Sequence, residues 1–191
     1  MAISPQVTNV IIILFVMQVA KKIPFDDPVV LNAVRGLYVT SNVIIAGIYL
    51  YIQAQINKKK DRTTIQYVEP APMGSEEGPK NVTTTVMAYD SQQLRGMFKT
   101  QLMGVGMMAI MHLWFKYTNP LVIQSILPLK TAVESNLFKI HILGQPATGD
   151  LKRPFKGASG LLSGLQGGDV KTDKKSIKEA ERAGRGGAKE E

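Results

Sequence analysis

The chain has 191 residues, enough for one domain, with a formal net charge of +8 and no cysteine. The lack of thiols excludes disulfides, thiolate zinc sites and thiol nucleophiles. A mean hydropathy near zero hides a division: three nearly uncharged stretches precede Tyr117, and the C-terminal part is rich in Lys, Arg, Glu and Gly. A soluble domain interleaves these classes, so the segregation points to a membrane protein with a polar tail.

The first apolar run, VTNVIIILFVMQVA at 7–20, is short for a crossing at 14 residues. Counted from Ala2 it reaches about 19 residues, roughly 28 Å as a helix. A cleaved signal peptide is the competing reading. The run lacks a basic start, and Gln18-Val19-Ala20 is a poor cleavage site. We read a short retained helix over 4–20.

Pro24 and Pro28 then interrupt the chain. Asp26 or Asp27 suits the cap of a second helix over 29–56, and Pro28 suits its first turn. Residues 36–56 run for 21 positions without a charge, the strongest transmembrane signal here. NKKKDR stops the run.

A polar loop over 57–90 follows. TTIQYVE and NVTTTVMAYD are rich in β-branched residues and either pair as a small hairpin or lie extended. Asp90 or Ser91 is expected to cap a third helix over 91–117, which carries GVGMMAIMHLW in its apolar core. Pro120 disfavours helix at Asn119. Residues 119–142 read as a broken fourth crossing, interrupted at Pro128, or as an interfacial helix. Residues 144–191 read as a basic, largely extended cytosolic tail with a short charged helix over 173–183.

The expected fold is an all-α polytopic membrane protein with a membrane domain over 1–143. It has three to four membrane helices, one short and one broken, a polar cytosolic loop and a flexible basic C-terminal tail. The basic cluster at Lys58, Lys59, Lys60 and Arg62 belongs in the cytosol, and so does the basic tail. An even number of crossings must then separate them. With the first helix crossing, the N-terminus is cytosolic and Lys21-Lys22 lumenal; the alternative is the opposite arrangement, with the N-terminus outside and Lys21-Lys22 in the cytosol. The sequon Asn81-Val82-Thr83 stays unmodified in the first arrangement.

Asn32, Arg35, Asn42 and Gln53 fall at spacings that return to one helix face. Gln101 and His112 share a face of the third helix, and Gln124 lies on the fourth segment. One reading is interhelical hydrogen bonding, about 1 kcal/mol or less per bond, with Arg35 snorkelling to the interface. The other is a hydrated groove along which a client's polar segment passes while its apolar part enters lipid. Lys58, Lys59, Lys60, Arg62, Lys152, Arg153, Phe155 and Lys156 are expected to contact ribosomal RNA or lipid. Two histidines without cysteine make no metal site, and no nucleophile–base pair or carboxylate pair stands out. GQPATGDLKR lacks the Gly-Lys-Ser/Thr spacing of a nucleotide loop. Neither an enzyme nor a cofactor is expected.

YTNPL at 117–121, KIHILGQPATGDLKRPFK at 139–156 and KTDKKSIKEAERAG at 171–184, after YVEP at 67–70, carry a specific resemblance. With Pro5 to Ile13, it spans nearly the whole chain. The chain resembles the fungal inorganic phosphate transport protein 88 family, the third component of the SRP-independent (SND) targeting pathway. The resemblance implies an endoplasmic-reticulum membrane protein that delivers and inserts other membrane proteins. It implies as partners the Sec61 translocon, the ribosome, other SND components, client membrane proteins and phospholipid. Two alternatives remain. One is a phosphate transporter, which the absence of an internal repeat and of any membrane cation but Arg35 disfavours. The other is a scaffold that links ribosome and translocon without inserting.

Overall fold

The elements run α1 (Pro5–Ala20), α2 (Pro28–Lys59), β1 (Thr64–Glu69), β2 (Lys80–Thr85), α3 (Val86–Leu113), α4 (Asn119–Glu134) and α5 (Asn136–His141), with a 3-10 turn at Gly149–Leu151. They are seen in a computed structural model that describes residues 5–69 and 80–155. Lys156 and the helix expected over 173–183 lie outside those residues. The chain divides into two units. Of the described residues, one takes in 5–55 and 92–144, and the other 56–69, 80–91 and 145–155.

In the first unit, four helices meet at one apolar cluster. Val16 from α1, Val34 from α2, Met108 from α3, and Leu121 and Val122 from α4 are buried together. Asp27 caps α2, its Oδ1 accepting from Val29 N at 2.8 Å, with Pro28 in the first turn. The fourth segment breaks at Ser135 rather than at Pro128, which stays inside α4. Pro128 removes one backbone donor and crowds the preceding turn, a cost of about 3 kcal/mol that α4 bears without ending. Ser135 has extended backbone (ψ 148°), and its Oγ accepts from Phe138 N at 3.2 Å to start α5. A local side-chain cap therefore sets the break.

The second unit departs from an all-helical fold. β1 and β2 pair antiparallel, Thr64 facing Thr85 and Glu69 facing Lys80. The β-branched run at Val82–Thr85 favours this extended pairing. The third helix starts at Val86, five residues before the expected position. The reason is capping: Val86 N donates to Thr63 O and Met87 N to Asp61 O, both at 2.9 Å. Ala88 N donates to Thr85 Oγ1 at 3.2 Å. Three orphan donors of the first turn are thus satisfied before Asp90 is reached. Tyr67, Val68, Val86, Tyr89 and Phe155 are buried in this unit.

By length and composition, α2 is the one helix among the described residues that is apolar enough to cross a membrane. At 16 residues α1 is short, about 24 Å. α3 is long enough, at 28 residues, but Lys99, Gln101, His112 and its glycines dilute its apolar content. Large apolar side chains nevertheless stand exposed on all three, among them Ile11, Leu14 and Phe15, then Val39 and Val43, then Leu102, Met107 and Ile110.

Candidate functional site

The polar positions of α2 and α3 meet in two rungs. Gln101 Nε2 donates to Asn42 Oδ1 at 2.6 Å. Seven residues earlier on α2, Arg35 Nε donates to His112 Nε2 at 3.0 Å. Tyr49 meets Phe98 edge-to-face, ring centroids 5.0 Å apart. As positions rise on α2 their partners fall on α3, so the two helices run antiparallel here. Two-turn spacing on α2 returns Arg35, Asn42 and Tyr49 to one face.

Each rung is tied to its own helix. Asn42 Nδ2 donates to the Tyr38 carbonyl at 2.8 Å, and Arg35 Nη1 donates to Asn32 Oδ1 at 3.1 Å. His112 Nδ1 lies 3.1 Å from the Tyr117 carbonyl. A guanidinium has no acceptor, so Nε2 of His112 must accept from Arg35. The ring proton therefore sits on Nδ1 and donates to Tyr117. His112 is thereby a neutral bridge between α2 and the turn after α3.

Two predicted groove residues remain. Gln53 is half-buried near the end of α2, and Gln124 is half-buried on α4. Arg35 does not simply snorkel: it is exposed but held by two side chains.

A further polar node joins α1 to α4, and the sequence pattern did not single it out. Lys130 Nζ donates to Asn9 Oδ1 at 2.9 Å and pairs with Glu134 one turn on. The signal for it was Asn9, an amide inside an apolar run, matched to a lysine and glutamate four apart.

In the second unit the basic residues divide. Lys58, Lys59, Lys60 and Arg62 are all exposed, and Lys60, just after α2, has φ +46°. Lys152 is exposed as well. Arg153 instead turns inward onto Asp90, Nε to Oδ1 at 2.6 Å and Nη2 to Oδ2 at 2.7 Å. Phe155 is buried, its N donating to the Tyr89 hydroxyl at 2.8 Å and its ring edge-on to Tyr89 at 5.5 Å. Tyr89 in turn meets Tyr67 at 5.7 Å. Arg153 and Phe155 thus hold the fold of this unit and leave Lys152 as the cation it presents nearby. Burial pushes the Tyr89 hydroxyl up to about 12, with the Phe155 N–H opposing and Tyr67 and Asp90 adding to the rise. The Thr63 side chain and N–H hold the Asp61 carboxylate below its usual range.

Residues 3–188 match the family described as Phosphate transport (Pho88). The chain belongs to this family. It is 49% identical to SRP-independent targeting protein 3 of Saccharomyces cerevisiae, over 98% of this chain and 100% of that one. It is 40% identical to the SRP-independent targeting protein 3 homolog of Schizosaccharomyces pombe, over 93% of this chain and 91% of that one. Both relatives are named as targeting proteins rather than enzymes. No solved structure matches the chain. The stretches by which the chain resembles the Pho88 family close the nodes of both units. In the first unit YTNPL supplies the Tyr117 carbonyl that accepts from His112 Nδ1. In the second, YVEP supplies Tyr67, and the 139–156 stretch supplies Arg153 and Phe155.

Proposed function

We propose that the chain is an endoplasmic-reticulum membrane protein of the SND pathway that targets and inserts client membrane proteins. The names of its relatives support the targeting role. Apolar surface on α1, α2 and α3 supports immersion in lipid: Phe15 is 68% exposed, Val43 65% and Leu102 69%. A water-soluble fold does not leave three such faces bare. In this reading α1, α2, α3 and the broken α4–α5 segment form a membrane domain over 1–143, and 144–191 is a cytosolic tail.

The observation that carries the insertase reading is the pair of rungs, Asn42–Gln101 and Arg35–His112, between helices whose outer faces are apolar. Polar groups at membrane depth are costly and mark a path for polar cargo. With Asn32, Gln53 and Gln124 they form a polar track. A client's hydrophilic flank exchanges hydrogen bonds along it while its apolar helix moves into lipid beside α3. Met103 and Met107, both exposed on α3, offer an adaptable surface for varied clients.

The second unit supports one topology. In this reading a unit that joins 56–69 and 80–91 to 145–155 is not divided by a bilayer. Both parts therefore lie on one side, and Lys58, Lys59, Lys60 and Arg62 favour the cytosol. Those residues, with Lys152 and Lys156, are the proposed contacts for ribosomal RNA or anionic lipid, and Sec61 and the other SND components are the proposed partners.

The test is insertion of multi-spanning clients into vesicles reconstituted with the purified chain. Arg35→Ala combined with Asn42→Leu lowers insertion at unchanged protein level. Full insertion by that double variant sinks the groove. The family description favours phosphate transport as a second reading, with Arg35 as its anion ligand. Phosphate flux in protein-containing vesicles decides between them.

A further inference from the structure

Arg35 keeps three of its five N–H donors after binding His112 and Asn32: both on Nη2 and one on Nη1. Among the described residues no carboxylate is bonded to it, so its charge is not neutralised. It is exposed, and its fork is held from two directions. The donors left over lie on Nη1 and Nη2, the two nitrogens that can together grip two oxygens of one oxyanion.

What surrounds it says where that oxyanion comes from. Arg35 immediately precedes the uncharged run of α2, so it stands at an interface if α2 crosses. Through His112 it is linked to Tyr117, whose ring stacks on Phe115 at 6.4 Å. Trp114 beside them is 82% exposed. Exposed aromatics flanking a cation are the composition of a membrane–water boundary. That cation, Lys116, holds φ +59°, a conformation that glycine adopts with less strain. Tyr117 N donates back to the Met111 carbonyl at 3.1 Å, which closes α3 and projects this turn beyond it.

We propose that the free donors of Arg35, with Lys116 and the Trp114–Tyr117 turn, bind the phosphodiester group of a membrane phospholipid. The lipid anchors this end of α2 and α3 at headgroup depth and fixes the height of the polar rungs. The proposal rests on the reading of α2 as a crossing, and it does not depend on insertion activity.

The test uses the full chain in vesicles of phosphatidylcholine doped with a photoactivatable phosphatidylcholine, the label mapped by mass spectrometry. The wild-type chain labels most strongly on 28–35 and 112–117. A diacylglycerol probe with the same photoactivatable chain, which lacks the phosphate, labels those peptides about tenfold less. Arg35→Gln lowers the phosphatidylcholine label by about tenfold, and Arg35→Lys, which keeps charge but loses the fork, by less. Equal labelling by the two probes on the wild-type chain overturns the proposal and needs no variant. Displacement of the label by millimolar inorganic phosphate also overturns it, because free phosphate is then the ligand. Insertion is measured on the same Arg35→Gln vesicles. Lost label with intact insertion upholds the lipid site and removes Arg35 from the client path.

Discussion

Asp90 and Arg153 form a two-pronged ion pair, 2.6 and 2.7 Å, across 63 residues of sequence. The side chains are 1% and 10% exposed. Asp90 sits in the second turn of α3, and Arg153 follows the 3-10 turn after α5. Their pairing ties the start of the 144–191 stretch to the N-terminal end of α3. Removing one partner of a buried pair strands the other charge, at a cost of about 3–5 kcal/mol. Asp90→Asn and Arg153→Gln should each lower the melting temperature of the purified chain by a large and similar amount. Replacing both with leucine should recover much of the loss. A small change in either single variant shows that the pair is not a clasp.

The same pairing supports the proposed sidedness. The chain has no cysteine, so single cysteines report without background. In sealed microsomes, Arg62→Cys and Lys152→Cys should both react with a membrane-impermeant thiol reagent. Lys116→Cys should react only after permeabilisation. Asn81, half-buried on β2, should carry no glycan. Opposite labelling of positions 62 and 152 removes the proposed topology.

The sequence made some of this legible and hid the rest for physical reasons. The polar face of α2 was readable because helical spacing alone puts Arg35 and Asn42 together, and the matching face of α3 placed Gln101 and His112. That these groups bond to each other depends on the antiparallel register of the helices, which no local pattern encodes. Asp90 looked like a helix cap because a cap and a buried ion-pair partner use the same side chain. The choice was made elsewhere, by Thr63, Asp61 and Thr85 capping α3 one turn earlier. Arg153 and Phe155 read as a basic and aromatic surface stripe for a similar reason. Their partners are more than 60 residues away, and only tertiary structure reveals them as interior. Pro128 drew attention as a breaker, yet packing kept α4 intact and a serine cap ended it.

The Asn42–Gln101 bond separates structure from function. If the rung only joins helices, a double-mutant cycle with Asn42→Leu and Gln101→Leu gives a coupling of about 1 kcal/mol or less in stability. Insertion would then follow stability. The groove reading expects insertion to fall several-fold for Asn42→Leu at unchanged melting temperature. Asn42→Gln, which restores an amide, should rescue it. Failure of the rescue together with lost stability leaves the rung a helix–helix bond.

Tyr89 gives the second unit a pH signature. Its hydroxyl is raised from 10.0 to about 12 because it is buried, beside Tyr67 and Asp90, with the Phe155 N–H opposing the rise. The unfolded chain releases this proton near 10.0, whereas the folded chain holds it to about 12. Raising the pH across that window therefore favours unfolding. The contribution is fully present below the unfolded value and is lost as pH rises through the folded one. The full chain should show falling melting temperature from about pH 10 to 12, with Tyr89 contributing a late step in phenolate absorbance. Tyr89→Phe keeps the ring contacts with Tyr67 and Phe155 but removes the proton. It should weaken the alkaline slope and abolish the late phenolate step. It also strips the Phe155 N–H of its acceptor, which should lower stability at neutral pH by about 1 kcal/mol. A Tyr89→Phe variant with an unchanged late step would assign that step to another tyrosine and leave Tyr89 outside the buried node.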